Sequence, residues 1–249
     1  MEQKASYEVV PALFLNALRP SIKYRTFYHI GKRIMDVFIA ILALLFFLPL
    51  MVVVAILIVI DSPGPIFFIQ NRVGARRYIH NHTEKWGFIT FPCIKFRTMM
   101  HNSDPSLHQA YIKAYMNNDE EGMTALQGKD TMVRKLTNDP RITRLGKFLR
   151  KTSIDELPQL INVIQGEMSL VGPRPAIPYE VEMYKPWHYH RLETMPGITG
   201  LWQVTARSSA DFDDMVRIDL DYIQRQSLWF DLKILIKTPY EVILCRGAG

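Results

Sequence analysis

The sequence predicts an α+β fold in which a membrane-embedded helical segment precedes a domain of a small β-hairpin and amphipathic helices. Three observations predict it. The run from Val37 to Ile60 carries no charged or strongly polar side chain. The apolar stretches Ile66–Ile69 and Phe91–Phe96 read as the strands of a hairpin, with Gly74 to Gly87 as their connection. Apolar residues then recur at helical spacing, first at Ile142, Leu145, Phe148 and Leu149, and again at Leu157, Leu160, Ile161 and Ile164.

The apolar run is long enough to matter to a bilayer, since about 1.5 Å per residue is set against a hydrocarbon core of about 30 Å. Pro49 lies near its middle, where it removes a backbone hydrogen bond and predicts a break or kink. Two readings follow: a spanning helix that tolerates its proline, or a re-entrant helix-break-helix that enters and leaves by one face. Lys23, Arg25, Lys32 and Arg33 precede the segment, and Arg72, Arg76 and Arg77 follow it. Basic flanks are favoured on the cytoplasmic side, so two of them favour the hairpin. The chain is accordingly divided into a basic lead (1–31), a membrane-embedded segment (32–61) and a cytoplasmic domain (62–249).

A length of 249 residues accommodates one domain and a membrane element. The formal charge of +6 suits anionic lipid, phosphorylated substrates or nucleic acid, and the apolar segment turns the reading toward lipid and away from nucleic acid. Cys93 and Cys245 are the sole cysteines and have no metal-ligand spacing, which argues against a disulfide framework or a zinc site.

After the apolar run, Asp61-Ser62-Pro63-Gly64-Pro65 reads as a turn that stops the helix. In Lys95-Phe96-Arg97, side chains two apart on an extended chain place both cations on one side. Residues 101–135 are polar, with a helical piece around Leu107 to Met116 and no chemical signal. A basic face of Arg141, Arg144, Lys147 and Lys151 then leads to the acidic pair Asp155-Glu156. One account of this pair is structural: Ser153 and Glu156 have the spacing of a capping box. Pro158 favours a helix that starts near Asp155 instead, because only the first turn tolerates a missing N–H. An Asp155 carboxylate at such a start is stabilised as the anion, and Gly166 offers the helix its stop.

Adjacent carboxylates cannot flank a sugar from two sides, so this pair alone does not make a two-carboxylate glycosidase. They suit a nucleophile with a helper, or joint binding of a divalent ion that also touches phosphates. Downstream, Pro173 and Pro175 fix Arg174 between them in a form suited to bidentate phosphate recognition. The segment from Pro196 to Arg207 reads as a glycine-containing turn running into a short strand, with Arg207 as a further anion ligand. Trp187, Trp229 and Leu232 to Leu244 suit a lipid surface or ordinary core packing.

The order of these pieces, an apolar segment broken by proline, then DSPGP, KFRTM, DPRITRLGKFLRKTSIDELPQL, GEMSLVGPRP and PGITGLWQV, resembles the bacterial sugar transferases, the monotopic polyprenyl-phosphate phosphoglycosyl transferases. The resemblance covers about Lys32 to Gly249. It implies a re-entrant membrane helix hairpin, a small β-hairpin with associated helices, and amphipathic helices at the cytoplasmic face of the bacterial inner membrane. It implies transfer of a sugar 1-phosphate from a UDP-sugar to polyprenyl (undecaprenyl) phosphate with release of UMP, the first membrane step of exopolysaccharide, capsule, O-antigen or glycoprotein glycan assembly. On this resemblance Asp155 is the nucleophile that forms a phosphosugar intermediate, Glu156 is its partner, and Mg²⁺ lies near Asp155. Lys95, Arg97, Arg150, Arg174 and Arg207 are expected to hold phosphates or nucleotide, with Pro173 and Pro175 shaping the pocket; a homodimer is a further expectation. Leu48 departs from the serine that many members carry before the proline, and 101–135 is longer than in the smallest members. The alternative class is a non-enzymatic membrane adaptor, in which the acidic pair is a helix cap and the basic surface binds anionic lipid or a glycan-assembly partner.

Overall fold

The computed structural model describes residues 26–80, 83–127, 136, 139–206 and 210–243; the stretch before Thr26, Arg207 and Cys245 lie outside them. Helix α1 (Thr26–Asp61) runs for 36 residues with Pro49 inside it. The expected helix-break-helix is thus one continuous helix that also starts ahead of Lys32. Proline costs one backbone hydrogen bond, whereas a non-helical interruption among apolar side chains would leave several backbone groups unsatisfied.

One side of α1 is held by the rest of the chain from end to end. Tyr28 Oη and Lys32 Nζ each donate to Asp231 Oδ2 at 2.8 Å, and Tyr222 Oη donates to Asp231 Oδ1 at 2.7 Å. Arg33 donates to the carbonyls of Val163 and Ile164, and Ser169 Oγ donates to the buried Asp36 carboxylate at 2.7 Å. Further along, Ala40 packs with Leu160, Val163 and Val171, while Met51, Val54 and Ile58 pack with Phe96 and Leu149. At the C-terminal end the Arg97 guanidinium donates to the carbonyls of Ile58, Ser62 and Pro63. Gly64 makes this possible: its φ of +128° suits glycine, and a Cβ there would run into that guanidinium. The opposite side exposes Ile34, Phe38, Leu42, Leu45, Phe46, Val53 and Ile60. With a mean hydropathy of 3.3 over its most apolar window, α1 is long and apolar enough to cross a membrane.

Strands β1 (Phe67–His80) and β2 (Thr83–Phe96) pair antiparallel from Phe67↔Phe96 to His80↔Thr83. The hairpin is longer than its apolar patches predicted, since the expected connection from Gly74 to Gly87 is itself paired. Gly74 marks a close approach here, not a turn: a Cβ would press on Phe91 and Pro196.

Helices α2 (Ser106–Met116), at the expected place, and α3 (Glu120–Gln127) follow, then α4 (Arg144–Thr152), a 3₁₀ turn (Ile154–Glu156) and α5 (Gln159–Gln165). Strand β3 (Ser169–Val171), α6 (Pro178–Val181), a 3₁₀ helix (Pro186–Leu192), β4 (Gly197–Thr199), α7 (Leu201–Thr205), α8 (Phe212–Arg225) and α9 (Leu228–Ile243) complete the domain. β3 and β4 pair in parallel. The segment expected to be a turn entering a strand is therefore β4 followed by helix α7. Trp187 packs against the cluster of Tyr184, Phe212 and Val216, whereas Trp229 on α9 is exposed.

The buried Asp231 carboxylate gathers three donors from α1 and α8. Asp231→Ala removes the hydrogen-bonded counter-ion of the buried Lys32 ammonium and leaves it only the Asp36 carboxylate nearby, so thermal and denaturant unfolding should show a loss of about 3 kcal/mol. Asp221→Ala, which breaks an exposed pair with Arg225 on α8, should change stability by less than about 1 kcal/mol.

Candidate active site

The acidic pair lies between two helices. Helix α4 begins at Thr143, whose Oγ1 accepts from the Gly146 N–H at 2.9 Å, and ends at Ser153 in the left-handed conformation with φ 55°. Asp155 and Glu156 occupy the 3₁₀ turn that follows, and Pro158 precedes α5 as its N-cap residue, where a missing N–H costs nothing. Ser153 makes no side-chain cap to this turn. The capping box is therefore not formed, and the Glu156 carboxylate instead pairs with Lys95 Nζ at 2.7 Å. This removes the structural account on which the adaptor reading depended.

Two docking contacts set this geometry. On α5 the fully buried Asn162 donates through Nδ2 to Pro92 O at 2.8 Å, and its Oδ1 accepts from the Ile94 N–H at 3.1 Å. That clamp lays α5 against β2 and brings Glu156 opposite Lys95. On the other side, Thr98 docks α4: its carbonyl accepts from Thr143 N–H at 3.1 Å, its hydroxyl accepts from Arg150 Nε at 2.9 Å, and Gly146 leaves room for the approach. Arg150 is thereby held near Asp155. The buried face of α5 differs from the expected Leu157, Leu160, Ile161 and Ile164 stripe, because Gln159 and Asn162 are buried with Leu160 and Val163. Gly166 closes the helix at φ 82°, as its sequence position predicts.

Arg174 reaches the same place from β3. Gly172 N–H bonds Thr199 O at 2.9 Å, and Gly197 N–H bonds Pro173 O at 2.8 Å, so the Pro173–Pro175 corner is stitched to β4. Gly172 and Gly197 allow it; a Cβ on either would collide with the other segment's backbone. Arg191, paired with buried Asp219 at 2.7 Å, supports the corner from behind through Arg174 O.

A cleft open to solvent results. Arg72, Cys93, Lys95, Glu156, Arg174 and Gln203 are among the residues that line it. Of the expected phosphate ligands, Lys95 and Arg174 line it, and Arg150 stands close enough to act on Asp155 electrostatically. Pro173 is buried beneath the corner and Pro175 is at its wall. Arg97 is a correction: β2 ends at Phe96, so Arg97 no longer shares a face with Lys95 and spends its guanidinium on the carbonyls that end α1. Arg207 lies outside the described residues. Arg72 and Gln203 were missed as site residues. Arg72 reads as a membrane-flank cation by sequence, and Gln203 sits in a motif noted for its glycines.

Burial and the adjacent Glu156 carboxylate push the Asp155 carboxyl up to about 6, against the pull of Lys95, Arg150 and Arg174. Asp155 is thus less acidic than a plain helix-start carboxylate, though largely ionised at pH 7. The fold favours its protonated form, so stability falls as pH rises from the ordinary carboxylate range to about 6. Asp155→Asn should therefore leave the melting temperature unchanged below that window and raise it above, as measured by thermal unfolding across pH 4 to 8.

Residues 27–245 match the family model described as bacterial sugar transferase. The chain is 43% identical over 219 residues to the exopolysaccharide production protein ExoY of Sinorhizobium fredii, covering 88% of each. It is 36% identical to the UDP-glucose:undecaprenyl-phosphate glucose-1-phosphate transferase of Caulobacter vibrioides, over 96% of this chain and 79% of that one. A third relative, the undecaprenyl-phosphate galactose phosphotransferase of Salmonella typhimurium, is 41% identical over 87% of this chain and 41% of its own length. The long apolar helix, the carboxylate pair and the cationic cleft accompany a match over most of the chain, which belongs to the bacterial sugar transferase family and is a phosphoglycosyl transferase enzyme.

Proposed function

We propose that this chain transfers a sugar 1-phosphate from a UDP-sugar to undecaprenyl phosphate, with Asp155 as the covalent nucleophile. The observation that carries this reading is that Asp155 adjoins Glu156, which lines a cleft together with Arg72, Lys95 and Arg174. A carboxylate and a diphosphate repel each other unless fixed positive charge offsets them, and Lys95, Arg150 and Arg174 supply it. The Asp155 oxygen attacks the phosphorus that bears the sugar; a P–O bond forms to Asp155 as the bond to UMP breaks, and UMP leaves with the electron pair. An oxygen of undecaprenyl phosphate then displaces Asp155, forming the diphosphate-linked sugar and restoring the carboxylate. Splitting the transfer lets the soluble donor leave before the lipid enters.

Glu156, held by Lys95 at 2.7 Å, keeps a second negative charge beside Asp155 and thereby keeps its carboxyl basic. Among the described residues no three metal-ligating side chains cluster. Mg²⁺ takes one or two protein carboxylates and completes its shell with phosphate and water, a requirement that a single half-buried carboxylate such as Asp155 could meet. In this reading Asp155 would hold Mg²⁺ with the donor phosphates, where it would offset their charge.

The same proposal places the domain at the membrane surface with both ends of α1 on one side. Its support is the contact pattern: one domain binds α1 from Tyr28 to Ile58 and the turn just after it at Ser62 and Pro63, whereas a spanning helix would carry one flank across the bilayer away from that domain. The exposed apolar side of α1, with Trp229 and Ile236 on α9, gives lipid a surface to cover.

Purified chain given UDP-sugar and Mg²⁺ without lipid should release a stoichiometric burst of UMP. UMP that appears only after undecaprenyl phosphate is added would sink the covalent route. Asp155→Asn should abolish turnover, and wild-type activity should rise with pH through about 6 as the nucleophile ionises. Cysteines placed on either flank of α1 should label from the same side of the membrane; opposite-side labelling restores a spanning helix.

A further inference from the structure

One side chain of the apolar helix α1 holds a strand of the site. Asp36 is 2% exposed, and a buried carboxylate is costly unless its oxygens are hydrogen-bonded. Both are satisfied by β3: Oδ2 accepts from Ser169 Oγ at 2.7 Å, and Oδ1 accepts from the Leu170 N–H at 3.3 Å. Lys32 on α1 and Asp231 on α9 are the charged groups that act on it.

β3 has three residues and pairs with β4. The Ser169 N–H bonds Pro196 O at 2.8 Å on the β4 side, whereas the Leu170 N–H turns to the other edge. There the Asp36 carboxylate takes the place of a third strand. Tyr222 adds a second hold on β3, since its Oη lies 3.1 Å from Val171 O and 2.7 Å from Asp231 Oδ1. Between Leu170 and Arg174, Gly172 and Pro173 are bonded to β4, and Pro173 and Pro175 restrict the backbone on either side of the arginine. The position of β3 therefore sets the position of Arg174. Arg174, with Lys95 and Arg150, lowers the proton affinity of Asp155 against burial and Glu156.

We propose that Asp36 is a positioning residue for the transfer reaction: by gripping β3 from α1 it sets where Arg174 stands relative to Asp155, which makes the apolar helix part of the working site. The inference rests on the reading of Asp155 as nucleophile and adds to it a residue buried away from both substrates.

The test is steady-state turnover of a panel of UDP-hexoses with undecaprenyl phosphate, by the full chain in lipid nanodiscs, across the acid limb of the pH profile. Asp36→Val removes both acceptors and should lower kcat about tenfold or more, as small misplacements remote from the chemistry do. Its acid limb should move above the wild-type position of about 6, because Asp155 loses part of the pull of Arg174. Loss of the Asp36 charge acting through space would move the limb the other way. Asp36→Asn keeps an acceptor for the Leu170 N–H and should restore most of kcat and the wild-type limb. Tyr28→Phe removes a donor to Asp231 without touching β3, so it should lower the melting temperature and leave the limb in place.

An Asp36→Val limb at or below the wild-type position overturns the assignment, whatever the melting temperature. An equal upward shift in Tyr28→Phe also overturns it, because any loosening of α1 would then suffice. Should Asp36→Val fail to fold, Ser169→Ala, which removes one of the two donors, should shift the limb upward, and an unmoved limb overturns the assignment. A wild-type chain that turns over no UDP-hexose, or an Asp155→Asn chain that does, contradicts the nucleophile reading itself. That outcome differs from a wild type whose acid limb Asp36→Val leaves in place.

Discussion

The side chain of Asn162 is the contact on which the site's geometry depends. It sits on α5 with no exposed surface and matches both a carbonyl and an N–H of β2. A buried amide left unpaired costs roughly 1–3 kcal/mol, so the two elements dock in one register. That register places the turn before α5 over the end of β2, and Glu156 meets Lys95 as a consequence. The stitching of β3 to β4 does the equivalent work on the far wall, where backbone contacts between glycines carry Arg174 and Gln203 into one cleft.

Around this frame the electrostatics are unbalanced by design of the fold. Burial raises the proton affinity of Asp155, and the adjacent Glu156 carboxylate adds to the effect. Cations from separate elements offset it: Lys95 from β2, Arg150 from α4 and Arg174 from the proline corner. Arg72, buried against Pro175, adds positive charge without a carboxylate in contact. A cleft in this condition is poised for a polyanion. On the proposed reading, binding of a polyanion would relieve that unfavourable charge in a domain that is stable without it.

Helix α1 shows how an apolar segment can be a structural member as well as a lipid-facing one. Its polar inward positions, Tyr28, Lys32 and Asp36, are consumed by the domain, and its end is held by Arg97. The charge that reads as a phosphate ligand in KFRTM is spent on helix carbonyls that would otherwise lack partners at the end of α1. The buried Asp231 group and the Arg97 contact lie near opposite ends of the helix, so its placement along the domain is fixed at two points.

Much of the chain was legible from residues alone. Apolar length announced α1, helical spacing announced α4, and glycine marked the end of α5. Asp155, Lys95 and Arg174 could be singled out because carboxylate, cation and proline-locked arginine have chemical uses that do not depend on where the chain goes next. Sequence patterns misjudged the hairpin's length, the helical form of Leu201–Thr205 and the direction of Arg97, because each depends on a partner distant in sequence. Arg72 and Gln203 could not be placed at the cleft for the same reason: an arginine or glutamine joins a site only when tertiary packing carries it there. The sequence by itself determined which chemical groups are present and which local elements form, since those follow from side-chain type and periodicity. Tertiary structure decided which of those groups share a cleft, because docking contacts such as Asn162 with β2 convert separate stretches into a single electrostatic environment.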